Sequence, residues 1–109
     1  MIRNLLCWLV ASAAAGCAPS YPPIAATNGG DAAFKSRIAT FHPPGSRAQR
    51  LRDELARQGF VFLEDAVARR YSAIDRPGNL PCYSETRIDW TEDGRGRIVQ
   101  IQAARHSCS

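Results

Sequence analysis

The stretch CYSETRIDWTEDGRGRIVQIQAA, residues 82–104, decides the fold because it has the pattern of a β-hairpin. Its first half alternates with a period of two, which is typical of a strand with one buried face. The even positions form the face expected to be buried: Ser84, Thr86, Ile88 and Trp90. In the second half, Val99, Ile101 and Ala103 share one face. The segment EDGRG between the halves supplies the turn, so two antiparallel strands are predicted.

The length of this turn determines which residues face each other. A two-residue turn places Ile88 opposite Val99 and Cys82 opposite Arg105. A longer turn, or a bulge after it, moves the partner of Cys82 toward Cys108. Either pairing allows a disulfide between Cys82 and Cys108 across the open end of the hairpin. In the chain-entropy model such a crosslink contributes about 3 to 4 kcal/mol, a large share of a small domain's stability.

The segment SRAQRLRDELARQGF, residues 46–60, predicts the main helix, from Arg47 to about Gln58. Ser46 is expected as the N-cap, and Gln49 completes a capping box. Apolar residues at helical spacing form one face, which is expected to be buried: Ala48, Leu51 and Leu55.

The helix is predicted to end at Gly59, where a left-handed cap needs a residue with positive φ. Phe60 is then expected to pack back on Leu55. The apolar run FVFL, residues 60–63, has the composition of a strand that is buried on both faces. Residues 64–71 fit either a short helix or a bent strand, and both interpretations stay open.

The first residues have the three parts of a secretory signal. Arg3 gives a basic start, an apolar run follows at residues 5–15, and small residues end that run. The run is shorter than the about 20 residues that a membrane-spanning helix needs. A buried helix is disfavoured because no polar residue interrupts the run before Ser12.

The tetrapeptide AAGC, residues 14–17, resembles a bacterial lipobox, with Ala14 where leucine is commonest. The resemblance implies a signal peptide at residues 1–16 that is cut before Cys17, and a diacylglycerol on the Cys17 thiol. Acyl chains such as palmitate add about 0.8 kcal/mol of membrane affinity per buried methylene. Ala18 stands where an aspartate often retains such lipoproteins at the inner membrane, so the resemblance implies an outer-membrane destination.

The four cysteines agree with this processing. Cys7 leaves with the signal peptide and Cys17 takes the lipid, so Cys82 and Cys108 remain as a pair in an oxidising compartment. An ordinary signal cut after Ala15 instead leaves Cys17 as an odd thiol.

A linker and one small domain are expected after the lipid site. Residues 17–33 are rich in proline, glycine and small side chains, and they predict a flexible linker of at most about 50 Å. Residues 34–109 are predicted to form the domain. Its first segment, FKSRIATF at residues 34–41, fits a short strand or an irregular segment, and residues 74–82 predict a loop.

The composition argues against several functions. The net charge of +4 comes from scattered arginines, so no nucleic-acid partner is predicted. His106 with Cys82 and Cys108 lacks a fourth zinc ligand, and paired cysteines oxidise in the envelope, so neither a metal site nor a cofactor is expected. The carboxylates lie in strand and turn positions typical of a solvated surface. No catalytic residue and no enzyme activity are therefore predicted.

A helix followed by antiparallel strands predicts an α+β domain, with one main helix packed on a small sheet that ends in the disulfide-stapled hairpin. The segment PGSRAQRLRDELARQGF, residues 44–60, resembles the start of the repeat in the BamE (SmpA/OmlA) small outer-membrane lipoproteins. In that family a short helix after PG precedes a three-stranded sheet, and the proteins assist assembly of outer-membrane barrels.

The predicted function is that of a non-enzymatic lipoprotein on the periplasmic face of the outer membrane. Its expected partners are the membrane, reached through the lipid anchor, and other envelope proteins or the peptidoglycan. The alternative is a secreted or periplasmic module that binds a ligand or inhibits a secreted protein. An exposed sheet edge or apolar patch would favour the first function, and a concave pocket the second.

Overall fold

The computed structural model describes residues 21–76, 78–79 and 82–107 of the 109-residue chain. Within these residues the helical elements are a 3-10 turn at Pro23–Ala25, helix α1 at Gly30–Phe41 and helix α2 at Ala48–Arg57. The strands are β1 at Val61–Asp65, β2 at Arg70–Asp75, β3 at Gly78–Asn79, β4 at Cys82–Glu92 and β5 at Ile98–Ser107. The α+β class is confirmed, but two helices pack on the sheet where one main helix was expected.

The main strands form one antiparallel sheet in the order β1-β2-β4-β5, and the short β3 pairs with the start of β4. Ala73, Ile88 and Ala103 lie side by side across β2, β4 and β5, and all three are buried. Their face of the sheet, called the inner face below, shares one core cluster with four large side chains of the helices: Phe34, Ile38, Leu51 and Leu55. The opposite face is called the outer face.

The buried face predicted for β4 is confirmed, because its even positions from Ser84 to Trp90 are all buried. The prediction for β5 is wrong at one residue. Val99 is 50% exposed, whereas Ile98, at 2%, occupies the inward position opposite Glu92. A bulge at this point of the β4-β5 ladder leaves Val99 as the extra residue, which reverses the direction of its side chain.

Of the two turn lengths left open for the hairpin, the structure has the longer one. Ile88 pairs with Ala103 rather than with Val99. The Asp93 carboxylate accepts the backbone N–H groups of Arg95 and Arg97, at 2.8 and 3.0 Å, and this side chain organises a longer turn. The register therefore shifts in the direction that was expected for a longer turn or a bulge.

The predicted N-cap of α2 is wrong, although the helix itself lies where it was expected. Ser46 donates its hydroxyl to the carbonyl of Pro43 instead of capping the helix. Arg47 is the N-cap residue and makes no side-chain capping bond, while the N–H of Ala48 donates to the carbonyl of Gly96 at 2.9 Å. The turn of the hairpin thus takes the place of a capping side chain.

The predicted end of α2 is confirmed. Gly59 has a φ of +84°. Its N–H donates to the carbonyl of Ala56, and the N–H of Phe60 donates to the carbonyl of Leu55 at 3.1 Å. These two bonds are the Schellman pattern, and they place Phe60 in the core.

The start of the domain differs most from expectation. Residues 34–41 belong to α1, in which Phe34 and Ile38 lie one turn apart and face the core, so neither a strand nor an irregular segment forms there. Ile24 and Ala25 are 4% and 0% exposed, although they fall inside the predicted linker. The packed unit therefore begins before Phe34, and the described part of residues 17–33 is not a free linker.

Candidate functional site

Strand β1 lies at one edge of the sheet and exposes its apolar side chains. Val61, Phe62 and Leu63 are 66%, 39% and 55% exposed. The prediction that the run FVFL is buried on both faces is therefore wrong for these three residues, although Phe60 is buried, with 6% exposure. In the described part of the chain β1 pairs only with β2, and its other edge carries backbone N–H and C=O groups with no strand partner.

The register with β2 assigns each β1 side chain to a face. Phe62 pairs with the buried Ala73, so Phe62 lies on the inner side, and Val61 and Leu63 lie on the outer side. The turn that follows β1 extends the apolar surface, because Val67 is 98% exposed. We call Val61, Phe62, Leu63 and Val67 the β1 patch.

A shallow groove of about 200 Å³ lies between Phe62 and helix α2. Helix α2 contributes Gln49, Arg52, Asp53 and Ala56 to its lining. Tyr71 and Trp90 also line the groove, and their rings are stacked with centroids 5.8 Å apart. Leu63 and Glu64 of β1 complete the lining, so the sheet side of the groove is mostly apolar and its helix side mostly polar.

A half-buried ion pair fixes the polar side of this groove. The Arg52 guanidinium is paired with the Glu92 carboxylate, which also accepts the indole N–H of Trp90 at 2.8 Å. The same guanidinium lies 4.4 Å from the centre of the Tyr71 ring. Burial lowers the pKa of Arg52, but the hydrogen bond and charge of Glu92 outweigh burial and hold that pKa above its ordinary value. The groove is preformed, and Arg52 is already neutralised.

The outer face beyond β1 is polar. The Asp89 carboxylate on β4 accepts from Arg87 at 3.0 Å and from the hydroxyl of Ser72 on β2. Burial raises the pKa of Asp89, but these two hydrogen bonds outweigh burial and keep the pKa below its ordinary value. Charged groups cover the centre of this face, and the large exposed apolar residues of the described strands and turns are those of the β1 patch and Val99 on the β5 bulge.

A second cavity, of about 330 Å³, lies between α1 and α2. Its polar centre is His42, which is 3% exposed and whose Nε2 lies 3.0 Å from a carboxylate oxygen of Glu54. The Arg37 guanidinium on its rim donates to the carbonyl oxygens of Pro23 and Ile24. The pair can exchange a proton or bind a small polar ligand, but no serine, threonine or cysteine lines the cavity to act as a nucleophile.

The residues singled out in the sequence are only partly described. Cys82 begins β4, and the described ladder reaches Ser107, which pairs with Ser84. The side chain of Cys82 and all of Cys17 and Cys108 lie outside the described residues, so the lipid site and the disulfide stay predictions.

The other candidate ligand is placed on the surface. His106 is exposed, and its Nδ1 lies 3.7 Å from Glu85, whose other oxygen pairs with Arg76. Across residues 21–76, 78–79 and 82–107, no three His, Cys, Asp or Glu side chains come together as a metal site. Neither described helix combines the length and the apolar character that a membrane span requires.

The β1 patch was missed because its residue types are those of a buried strand. One signal in the sequence does mark the edge. Glu64 and Asp65 follow the apolar run directly, and charged residues of this kind are typical of edge strands, where they discourage uncontrolled pairing.

Comparison of the chain with models of known protein families, with curated protein sequences and with solved structures found no match in any of the three.

Proposed function

We propose that the protein is a non-enzymatic lipoprotein of the cell envelope, anchored through Cys17 to the periplasmic face of the outer membrane, and that it binds another envelope protein along β1. The observation that carries this proposal is the exposure of Val61, Phe62 and Leu63 on an edge strand. The lipobox resemblance of residues 14–17 supports the anchor. No enzyme activity and no nucleic-acid partner belong to the proposal.

The chemistry of β1 favours a partner that adds a strand. An extended segment laid along β1 satisfies the backbone groups of its open edge, and alternate side chains of that segment contact the two faces. Segment residues on the outer side cover Val61 and Leu63, and those on the inner side reach Phe62 and the groove. Burial of these side chains supplies the apolar contribution to binding.

The charges around the groove restrict the partner further. Asp53 and Glu64 line its rim, and its only lining guanidinium, Arg52, is paired with Glu92. A partner side chain that enters the groove is therefore apolar or cationic, because an anionic group would face two carboxylates without a free cation.

A second candidate function is a periplasmic module that binds a small ligand. The observation that favours it is the cavity between α1 and α2, where His42 and Glu54 offer a polar centre beside Ile24, Ile38 and Phe41. We rank it second because the two groups of its polar centre, His42 and Glu54, are already hydrogen-bonded to each other.

Metabolic labelling with radioactive palmitate tests the anchor. The wild-type chain is expected to be labelled and to sediment with membranes, and Cys17→Ser is expected to lose both properties. Cys7→Ser is the matched control, because it changes a cysteine within the predicted signal peptide and should still be labelled. Labelling of Cys17→Ser would refute the anchor.

Photocrosslinking in cells tests the β1 surface. A benzophenone amino acid at Leu63 is expected to capture a partner, whereas the same residue at Val99, which is 50% exposed on the bulge, is the matched control. The captured segment of the partner, synthesised as a peptide, should then slow hydrogen exchange of the β1 amides in the full chain. Equal capture at both sites, or a peptide that leaves those amides unprotected, would rule out strand addition.

A further inference from the structure

The chain segment Tyr21–Ala25 is held against the domain from several sides. The N–H of Ile24 donates to the side-chain oxygen of Gln58, the C-cap residue of α2, at 2.8 Å. The guanidinium of Arg105 in β5 donates to the carbonyl of Ala25 and lies 4.4 Å from the centre of the Tyr21 ring. Together with the burial of Ile24 and Ala25, these bonds make the segment part of the folded unit.

This attachment leaves a short connection to the proposed lipid site. Three residues separate Cys17 from Tyr21. The Cα atoms of Cys17 and Tyr21 therefore lie at most about 14 Å apart, compared with the about 50 Å available if residues 17–33 formed a free linker. The polar headgroup layer on one side of a bilayer is itself about 5 to 8 Å thick.

We propose that the domain contacts the lipid headgroups directly through the face around Tyr21, rather than moving freely above the bilayer. This proposal rests on the proposed lipid anchor at Cys17. The short connection keeps Tyr21 within about 14 Å of Cys17, because the acyl chains of Cys17 must remain in the hydrocarbon core. The bonds from Gln58 and Arg105 fix which face of the domain meets the lipid.

The side chains beside this segment suit a layer of lipid phosphates. Arg37 and Arg105 are half-buried, and each uses Nη1 for its bonds to the segment. A guanidinium has five N–H donors, so donors remain for phosphate oxygens. The Asp31 carboxylate accepts the backbone N–H of Arg105 and is paired with Lys35 at 3.1 Å.

This contact with the membrane leaves β1 free to bind a protein partner. Tyr21 contacts β5 through Arg105, and β1 is the strand at the other edge of the sheet. With a spacing of about 4.8 Å between strands, the two edges lie about 14 Å apart. The membrane face and the β1 patch are therefore separate surfaces, so lipid and protein partner can be bound at the same time.

Energy transfer from tryptophan to a dansyl-labelled headgroup tests this contact between the domain and the headgroups. Trp90 is the only tryptophan after Cys17, so it reports on the mature chain alone. The lipidated full chain is reconstituted in vesicles of phosphatidylethanolamine and phosphatidylglycerol that carry the dansyl lipid. A Gly-Ser insert of about 16 residues between Ser20 and Tyr21 adds about 20 Å of mean reach, and should reduce transfer by at least about twofold. Pro19→Gly, which keeps the length, should leave transfer unchanged.

Flotation of the same vesicles separates the two possible failures. Protein that floats but shows equally low transfer with and without the insert would overturn the contact with the headgroups while leaving the anchor intact. Protein that does not float would refute the lipid anchor itself, and with it the contact between the domain and the headgroups.

Discussion

Strands β4 and β1 belong to the same sheet, yet they use their apolar side chains in opposite ways. In β4 one face is polar and the other, with Ile88 and Trp90, is buried against the helices. In β1 three consecutive residues are apolar, and all of them are exposed to some degree. The strand with fewer consecutive apolar residues therefore contributes more to the core.

The difference shows that burial depends on the position of a strand in the sheet as well as on its composition. β4 lies between β2 and β5, so its backbone is paired on both sides and its inner face is covered. β1 lies at an edge, where α2 covers only the side of Phe62 that faces the groove. Apolar residues retained at such an edge indicate binding rather than packing. The four experiments below test this distinction.

The largest effect is expected from Ile88→Ala in β4. Ile88 is fully buried, so the substitution removes methyl groups from the core and leaves a cavity, lowering the free energy of unfolding by about 2 to 5 kcal/mol. Urea denaturation, monitored by Trp90 fluorescence, measures this loss in the free energy of unfolding. Leu63→Ala in β1 is the matched control and should change stability by about 0.5 kcal/mol or less. Equal losses at the two positions would contradict the contrast between the strands.

Ile24→Ala tests whether the segment before α1 belongs to the core. Ile24 is 4% exposed in the same cluster as Phe34, so we expect a loss of about 2 kcal/mol in the free energy of unfolding. Pro23→Ala, at an exposed neighbouring position, is the control. If the two variants unfold at the same urea concentration as the wild type, the segment is not part of the packed unit.

A smaller effect that depends on pH is expected from Asp93→Asn, in the turn that sets the β4-β5 register. The N–H groups of Arg97 and Arg95 hold the pKa of the Asp93 carboxyl below its ordinary value. Because the pKa is lowered in the folded state, the stabilisation is present at neutral pH and is lost as the pH falls through the folded-state pKa. The variant should therefore be less stable than the wild type at neutral pH, and this difference should shrink in acid.

Chemical denaturation across this pH range measures the Asp93 effect. Asp65→Asn is the control, because the Asp65 carboxylate accepts the N–H of Ala68 in the β1-β2 turn, at the edge of the sheet. If the stability of Asp93→Asn stays below that of the wild type by the same amount at every pH, the charge of Asp93 does not hold the turn.

The smallest effect on stability is expected from Leu63→Lys. Leu63 is 55% exposed on the outer side of β1, so the free energy of unfolding should change by about 0.5 kcal/mol or less. Capture by a benzophenone amino acid placed at Val61, on the same side of β1, should nevertheless be lost, because a lysine on an edge strand opposes the addition of another strand. Val99→Lys, on the β5 bulge, should leave capture intact. Retained capture in Leu63→Lys would place the binding surface elsewhere.

The sequence predicted best those features whose causes are local. The glycine end of α2 depends on Gly59 and Phe60 alone, and both behave as expected. The buried face of β4 follows from strict alternation along a single strand. In each case the residues that determine the structure are neighbours in the chain.

The features that were missed depend on residues far apart in sequence. The segment Tyr21–Ala25 has a linker-like composition, and only its contacts with Gln58 and Arg105 keep it in the core. The exposure of β1 depends on which strands lie beside it. Neither the composition nor the periodicity of a segment contains this information.

The hydrogen bond from Ala48 to Gly96 has a consequence for how the chain folds. The first turn of α2 is completed by a carbonyl that lies nearly half the chain away, in the hairpin turn. Gly45 and Ser46 are joined to Ile98 in the same way, so the helix start and the hairpin close together. We therefore expect these two elements to form one cooperative unit, in which the amide of Ala48 exchanges with solvent only when the hairpin opens.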